Sequence, residues 1–105
     1  MKSYRVVISL AAKEDLKRCI RYLKNVKNSV QAAQNVMDDY RQTSIILSDV
    51  ADSIKDPDSI ILKSRGLKRI NFQKHRYFML FKVEDNKVII TNIFHELEDY
   101  ENKLH

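Results

Sequence analysis

Two side chains near the end of the chain carry groups that could move a proton, His95 and Tyr100. An imidazole takes up and releases a proton near neutral pH, so it could assist the attack of a ribose 2′-hydroxyl on a phosphate. A tyrosine could stack on a base or donate a proton. We therefore take both as candidate catalytic residues. The structural alternatives are a histidine that ends a strand or caps a helix, and a tyrosine that packs on a sheet.

A second candidate site is a run of positive charge in the third quarter of the chain, where no Asp or Glu occurs between residues 63 and 76. Its six cations are Lys63, Arg65, Lys68, Arg69, Lys74 and Arg76. Such a set could bind the phosphates of a nucleic acid or an acidic segment of a protein partner, and it could also be a solvated face. Because side chains alternate across a strand, we expect the six to be divided between two faces.

The remaining composition narrows the classes of function. The single cysteine, Cys19, excludes an internal disulfide framework and a cysteine-based zinc site. The histidines at 75, 95 and 105 lack a metal-binding spacing, so we expect no metal and no cofactor. No apolar run reaches the roughly 18 residues of a membrane span, and the first ten residues lack a signal-peptide cleavage pattern. With a net charge of +5, we expect a basic cytoplasmic protein without a membrane partner.

The N-terminal half is predicted to form one strand and two helices. Residues 4–9, YRVVIS, are rich in β-favouring side chains. Apolar residues then recur at three- and four-residue steps, which indicates an amphipathic helix that Ser9 can cap. Ser29 can cap a second helix from Val30 to about Val50. Its predicted apolar stripe comprises Val30, Ala33, Met37, Tyr40, Leu47 and either Ser44 or Ile46. The short connection predicts an antiparallel helical hairpin.

The C-terminal half changes to the two-residue period of strands. Residues 49–59 predict a polar loop around Pro57. LKRINF predicts a strand with one solvent-exposed face. RYFMLFKV predicts a central strand, and KVIITNIF predicts its partner across a turn at Asp85 and Asn86. HELEDYENKL predicts a short final helix.

The resulting order is β-α-α-β-β-β-α. It predicts an α+β fold of two layers, with the helical hairpin packed on a mostly antiparallel sheet. A length of 105 residues suits one domain, and we assign residues 1–105 to it. The basic segment is expected at the edge of the sheet face that the hairpin leaves open.

This order, a basic third quarter and an apolar β-hairpin ending in His-x-x-x-Asp-Tyr resemble the RelE/ParE superfamily of toxins from bacterial type II toxin–antitoxin systems. The segments that carry the resemblance are YRVVISLAAKEDLKRCIRYL and HRYFMLFKVEDNKVIITNIFHELEDYE. The resemblance implies a growth-inhibiting toxin of a plasmid-stabilisation or addiction module, wrapped and neutralised by a cognate antitoxin. RelE-like members cut messenger RNA on the ribosome, and ParE-like members poison DNA gyrase.

The resemblance favours the ParE-like side, or an unknown target. RelE-like ribonucleases place an arginine early in the third strand, where this chain has Phe78, with Arg76 two residues earlier. A second arginine is expected just after the last strand, where Glu96, Leu97 and Glu98 stand instead. Carboxylates there would repel the phosphate to be cleaved. A ribosome-dependent endoribonuclease is the alternative and a catalytically inactive binding relative a second alternative, so enzymatic activity is left open.

Overall fold

The computed structural model describes residues 3–104, and it confirms the predicted α+β fold class. The elements are β1 (Arg5–Ile8), α1 (Leu10–Asn25), α2 (Val30–Val50), α3 (Ile60–Ser64), β2 (Lys68–Asn71), β3 (Tyr77–Glu84), β4 (Lys87–His95) and α4 (Tyr100–Lys103). One turn of 3₁₀ helix, Ala51–Ser53, continues from α2. The short helix α3 is the element that the sequence patterns did not predict.

Both long helices begin where serine was expected to cap them. The Ser9 hydroxyl accepts a hydrogen bond from the Ala12 amide at 3.1 Å, and the Ser29 hydroxyl accepts one from the Ala32 amide at 3.0 Å. Each bond satisfies an amide of the first helical turn that has no partner within its own helix. Asn28, between the helices, has φ of 52°, a left-handed conformation that asparagine tolerates. The two helices therefore form the predicted hairpin.

The buried stripe of α2 differs from its prediction in part. Its buried residues are Ala33, Val36, Asp39, Thr43 and Leu47. Val30, which was predicted to lie on this stripe, is 70% exposed. Of the two alternatives offered for the stripe, Ser44 is partly buried and Ile46 is 36% exposed. An α-helix turns about 100° per residue, so Ile46 points well away from its buried neighbour Leu47. Apolar character alone placed Val30 wrongly.

The sheet has the strand order β1-β4-β3-β2. β1 runs parallel to β4, and the other two pairs are antiparallel. The β3–β4 turn contains Asp85 with φ of 54°, as expected for a tight hairpin turn. The basic strand β2 lies at one edge of the sheet, as the sequence predicts.

The two faces of the sheet bury two separate apolar clusters. On the side that we call the hairpin face, Met79 and Phe81 of β3 pack with residues of α1 and α2. On the opposite side, the α4 face, Phe78 and Leu80 of β3 pack with residues of α3, β4 and the C-terminal segment. Successive side chains of β3 thus serve different cores, which explains why this strand is apolar throughout.

The helix α3 closes one end of the α4 face. Ser59 caps it, since its hydroxyl accepts a hydrogen bond from the Leu62 amide at 3.3 Å, and Leu62 is 1% exposed. The helix α2 ends at Val50, as predicted, and the 3₁₀ turn Ala51–Ser53 opens the connection that leads to α3. A helix of five residues with one buried side chain is too short to show a periodicity, which is why the sequence did not reveal it.

A β-bulge distorts β4. Leu80 pairs with Asn92 and Phe81 pairs with Ile90, so Thr91 is the extra residue. The Ser9 hydroxyl donates to the carbonyl of Thr91 at 3.1 Å, and the Thr91 hydroxyl donates to the carbonyl of Leu80 at 3.3 Å. These side-chain bonds hold the residue that the bulge removes from the regular ladder.

Candidate functional site

The candidate histidine lies at the end of β4, on the hairpin face. His95 pairs with Tyr77 across the ladder, and the two rings meet edge to face with centroids 5.0 Å apart. Its Nδ1 accepts a hydrogen bond from the Leu97 amide at 3.1 Å. The lone pair on that nitrogen is therefore occupied, and the proton of the neutral ring lies on Nε2. In this arrangement Nε2 is a hydrogen-bond donor, so it is unsuited to removing a proton from a hydroxyl group.

The candidate tyrosine lies on the α4 face. The Tyr100 ring packs against Phe78 and Phe94, with centroid distances of 5.2 Å and 6.1 Å. It thereby covers one end of the second apolar cluster. Since His95 is on the hairpin face, the sheet separates the two proposed catalytic groups. The fold does not bring them together around one reacting atom.

The six basic residues also occupy different places. Neighbours Lys68 and Arg69 lie on opposite faces of β2, as strand alternation predicts. The Lys68 ammonium donates to the carbonyl of Ile54 at 2.8 Å. The Arg69 guanidinium lies 3.8 Å from the centroid of the Phe78 ring on the α4 face, where it makes a cation–π contact.

The other four cations are exposed. Arg65 follows α3 on the α4 face, and its guanidinium donates to the carbonyl of Leu104 at 2.9 Å. Lys63 lies on α3. Lys74 and Arg76 lie in the connection between β2 and β3. The six residues therefore do not form one continuous patch, although Arg65 and Arg69 both lie on the α4 face.

A groove of about 310 Å³ on the α4 face collects further positive charge, and we call it the basic groove. Its lining includes Arg65, Lys82 and Lys103 beside the polar side chains of Thr91 and Asn92, with Leu67 and Leu104 beneath. No described residue that lines it is acidic. Sequence reasoning missed Lys82, although strand alternation from Phe78 and Leu80 would have placed it on this face.

The acids after the last strand bind cations and backbone of the protein itself. Glu96 lies 3.8 Å from Arg76 and Glu98 lies 2.8 Å from Lys103, as measured between charged atoms. Glu98 also accepts a hydrogen bond from the amide of His95 at 3.0 Å. Burial raises the pKa of Glu98, but the bonds from Lys103 and from the His95 amide outweigh it and lower that pKa below its ordinary value.

Within residues 3–104, no group of three or more His, Cys, Asp or Glu side chains is arranged to hold a metal ion. His105 lies outside the described residues. Among the described helices, none is long and apolar enough to cross a membrane. Cys19 is partly buried on α1, and burial raises the pKa of its thiol to about 11. It is therefore a neutral thiol at physiological pH.

Comparisons with known proteins give one family match and one structural likeness. A sequence model described as "ParE toxin of type II toxin-antitoxin system, parDE" matches residues 6–100. No curated protein matches this chain. A solved structure described as "Chromosomal ParDE TA system from P. aeruginosa" superposes with a TM-score of 0.71 at 16% identity, covering 89% of this chain and 96% of the other. At that identity the likeness concerns the fold. Since the family match spans nearly the whole chain, the protein belongs to the ParE family of toxins of type II toxin–antitoxin systems.

Proposed function

We propose that this toxin acts on DNA gyrase and does not cut messenger RNA on the ribosome. The observation that carries this proposal is the separation of His95 and Tyr100 by the sheet. Cleavage of RNA by a 2′-hydroxyl needs an acid and a base beside the same phosphate. Two groups on opposite faces do not meet that requirement. The acids at 96 and 98 further disfavour a phosphate at this end of the sheet.

A matched pair of readouts tests the target. The toxin would be expressed from an inducible promoter in bacteria, with DNA supercoiling and messenger RNA integrity followed in the same cultures. We expect gyrase-linked DNA breaks before any loss of messenger RNA. Early cleavage of messenger RNA within translated codons would overturn the proposal and support the ribonuclease alternative. Absence of a growth effect from well-expressed, folded protein would support an inactive binding relative.

The candidate catalytic residues give a second test of the same proposal. His95→Gln and Tyr100→Phe remove the groups that could transfer protons and keep much of each side chain's shape. We expect both variants to retain the toxicity of the unchanged chain, because neither hydroxyl nor imidazole takes part in chemistry. A loss of toxicity of about 100-fold or more in both variants, with unchanged stability, would return them to a catalytic role.

The proposal assigns the basic residues to a protein partner, the antitoxin of the same system. The basic groove and the neighbouring Arg69 offer four cations on one face, which suits an acidic segment lying across the sheet. Lys63, Lys74 and Arg76 are exposed and lie at the periphery, where rim charges would steer association. Lys68 is directed to the carbonyl of Ile54 on the other face and would contribute least. Such pairing takes place in the cytoplasm, where both proteins would be made.

Binding measurements with the purified antitoxin test this assignment. We expect Arg65→Ala and Arg69→Ala each to weaken binding, with a larger effect at low salt because exposed charges are screened as salt increases. Arg21→Ala on α1 removes an exposed cation elsewhere and serves as the matched control. Equal losses for all three variants would indicate general charge attraction in place of a site on the α4 face.

A further inference from the structure

The connection between β2 and β3, residues 73–76, is fastened to α2 by one buried carboxylate. The side chain of Asp39 is 1% exposed. One oxygen accepts from the Gln73 amide at 2.9 Å, and the other accepts from the Lys74 amide at 2.9 Å. The Thr43 hydroxyl, on the next turn of α2, donates a hydrogen bond at 3.3 Å to the same Asp39 oxygen that accepts from the Gln73 amide. A loop that has few regular backbone partners is thus held by a side chain from another layer.

The fourth donor is His75, and it is the one whose charge can change. Its Nδ1 lies 2.7 Å from the second oxygen of Asp39. An ionised carboxylate only accepts hydrogen bonds, so the proton of this bond belongs to the imidazole. The His75 side chain is 30% exposed, which allows the second ring nitrogen to exchange protons with solvent. A second proton on the ring would leave the bond to Asp39 in place and add a positive charge beside it.

We propose that Asp39 and His75 form a proton-dependent latch, which holds the loop of residues 73–76 more firmly on α2 when the imidazole is protonated. A hydrogen bond between two charged groups is stronger than one with a neutral donor. The pKa of Asp39 supports an ionised acceptor: burial raises it, but the bonds from His75 and from the Lys74 and Gln73 amides outweigh burial and lower it.

Other charges near the latch are partly paired with each other. From α2, Asp38 lies close to the latch and is itself 3.4 Å from Arg41. From the loop, Lys74 adjoins His75 and opposes its protonation. Arg76 follows His75 and is 3.8 Å from Glu96 beyond β4. Asp39 is the nearest partner and the most shielded from water, so its attraction is the least screened of these interactions.

The latch would also govern how the loop presents Lys74 and Arg76, and this consequence rests on the proposed function. A loop held in one conformation offers its cations to an acidic partner without an ordering cost. Antitoxin binding would then be tighter at mildly acidic pH. The latch itself concerns the isolated toxin, so failure of the antitoxin assignment would leave it untouched.

Amide hydrogen exchange of the isolated, full-length protein tests the latch directly. Protection of the Gln73 and Lys74 amides would be measured by NMR at about pH 6 and about pH 8, a range in which histidine commonly titrates. Rates would be corrected for the intrinsic pH dependence of exchange. The Ser9 amide, bonded to the carbonyl of Ile90 at 2.9 Å, serves as the reference for the rest of the fold. We expect protection at Gln73 and Lys74, relative to Ser9, to be about five-fold higher at the lower pH.

Two histidine variants make the result specific. His75→Gln keeps an amide that can donate to Asp39 but never becomes charged, so the five-fold change should disappear. His95→Gln removes the other imidazole of the described residues and should leave the change intact. A change that persists in His75→Gln, or that is absent from the unchanged protein, would overturn the latch.

A measurement on the unchanged chain covers the case in which His75→Gln does not fold. The imidazole of His75 would be titrated by NMR in the same samples. The midpoint of its titration should coincide with the midpoint of the change in loop protection. Midpoints that differ by a full pH unit, or equal changes at Ser9, would show that another group or the whole fold responds, and would overturn the proposal.

Discussion

Asp15 on α1 and Asp39 on α2 are both buried, both face the sheet, and both accept hydrogen bonds from backbone amides far away in the chain. Their pKa values nevertheless shift in opposite directions. Asp15 accepts from the amide of Ile93 at 3.0 Å and lies 3.4 Å from Arg18, and burial is the largest cause that raises its pKa. For Asp39, burial also raises the pKa, but three donors of the loop outweigh it and lower the pKa.

The comparison shows that burial alone does not decide the charge of a carboxylate in this protein. Removal from water disfavours the ionised form, and each directed N–H group favours it. Asp15 has one backbone donor in β4, the amide of Ile93, whereas Asp39 accepts from two amides of the loop of residues 73–76 and from the His75 ring. The two carboxylates therefore hold different parts of the fold: Asp39 holds a loop, and Asp15 joins α1 to one backbone amide of β4.

The largest change in the free energy of unfolding is expected for Asp39→Asn. An asparagine side chain retains one accepting oxygen, but its NH₂ group would face the loop donors and leave a buried amide without a partner. The free energy of unfolding should fall by roughly 2–4 kcal/mol. Urea unfolding at neutral pH measures it. A loss below about 1 kcal/mol would mean that the loop finds other partners, and the contrast with Asp15 would lose its basis.

The next largest effect is expected in how the free energy of unfolding depends on pH. Ionisation of Asp39 should stabilise the folded protein, and ionisation of Asp15 should destabilise it. The folded-state pKa of Asp39 lies below 3.8, so its stabilising contribution is present above 3.8 and is lost as the pH falls through the folded value. The folded-state pKa of Asp15 lies above 3.8, so its contribution declines as the pH rises from 3.8 through the folded value.

Unfolding measured from about pH 2 to about pH 5, below the range in which histidine commonly titrates, separates the two contributions. The stability gap between the unchanged chain and Asp39→Asn should widen as the pH rises. Asp15→Asn should instead gain stability relative to the unchanged chain over the acidic range. Parallel curves for all three proteins would contradict both assigned directions.

A smaller effect is expected for Asp15→Asn at neutral pH. The asparagine oxygen can still accept from the Ile93 amide, and the substitution removes a buried charge with few donors. These two consequences oppose each other, so the free energy of unfolding should change by less than about 1 kcal/mol. A loss comparable to that of Asp39→Asn would show that the charge of Asp15 is needed to hold α1 on β4.

The smallest effect is expected for Arg18→Ala. Its guanidinium is 3.4 Å from Asp15, but the Arg18 side chain is 64% exposed. A pair with one exposed partner is screened by water and salt, so the change in stability should stay within about 0.5 kcal/mol. The pKa of Asp15, followed by NMR, should rise further in this variant, because one of the causes that lower it is gone.

Much of the fold could be predicted because its signals are local. Ser9 and Ser29 cap helices through bonds to residues three positions away, and the alternation of Lys68 and Arg69 follows from strand geometry. The α2 residue Val30 was misplaced because apolar side chains also occur on exposed helix surfaces. The burial of Asp39 and its bonds to the loop gave no sequence signal, since acids on a helix are ordinarily exposed.

The sequence by itself determined the periodicities, the caps, the turn at Asp85 and the position of the positive charge along the chain. Only the tertiary structure decided that His95 and Tyr100 lie on opposite faces, that Lys82 joins Arg65 in the basic groove, and that Asp39 meets the loop of residues 73–76. The physical reason is one of range. Helix and strand periods act between near neighbours, whereas the charge and accessibility of a side chain depend on groups that folding brings from distant segments.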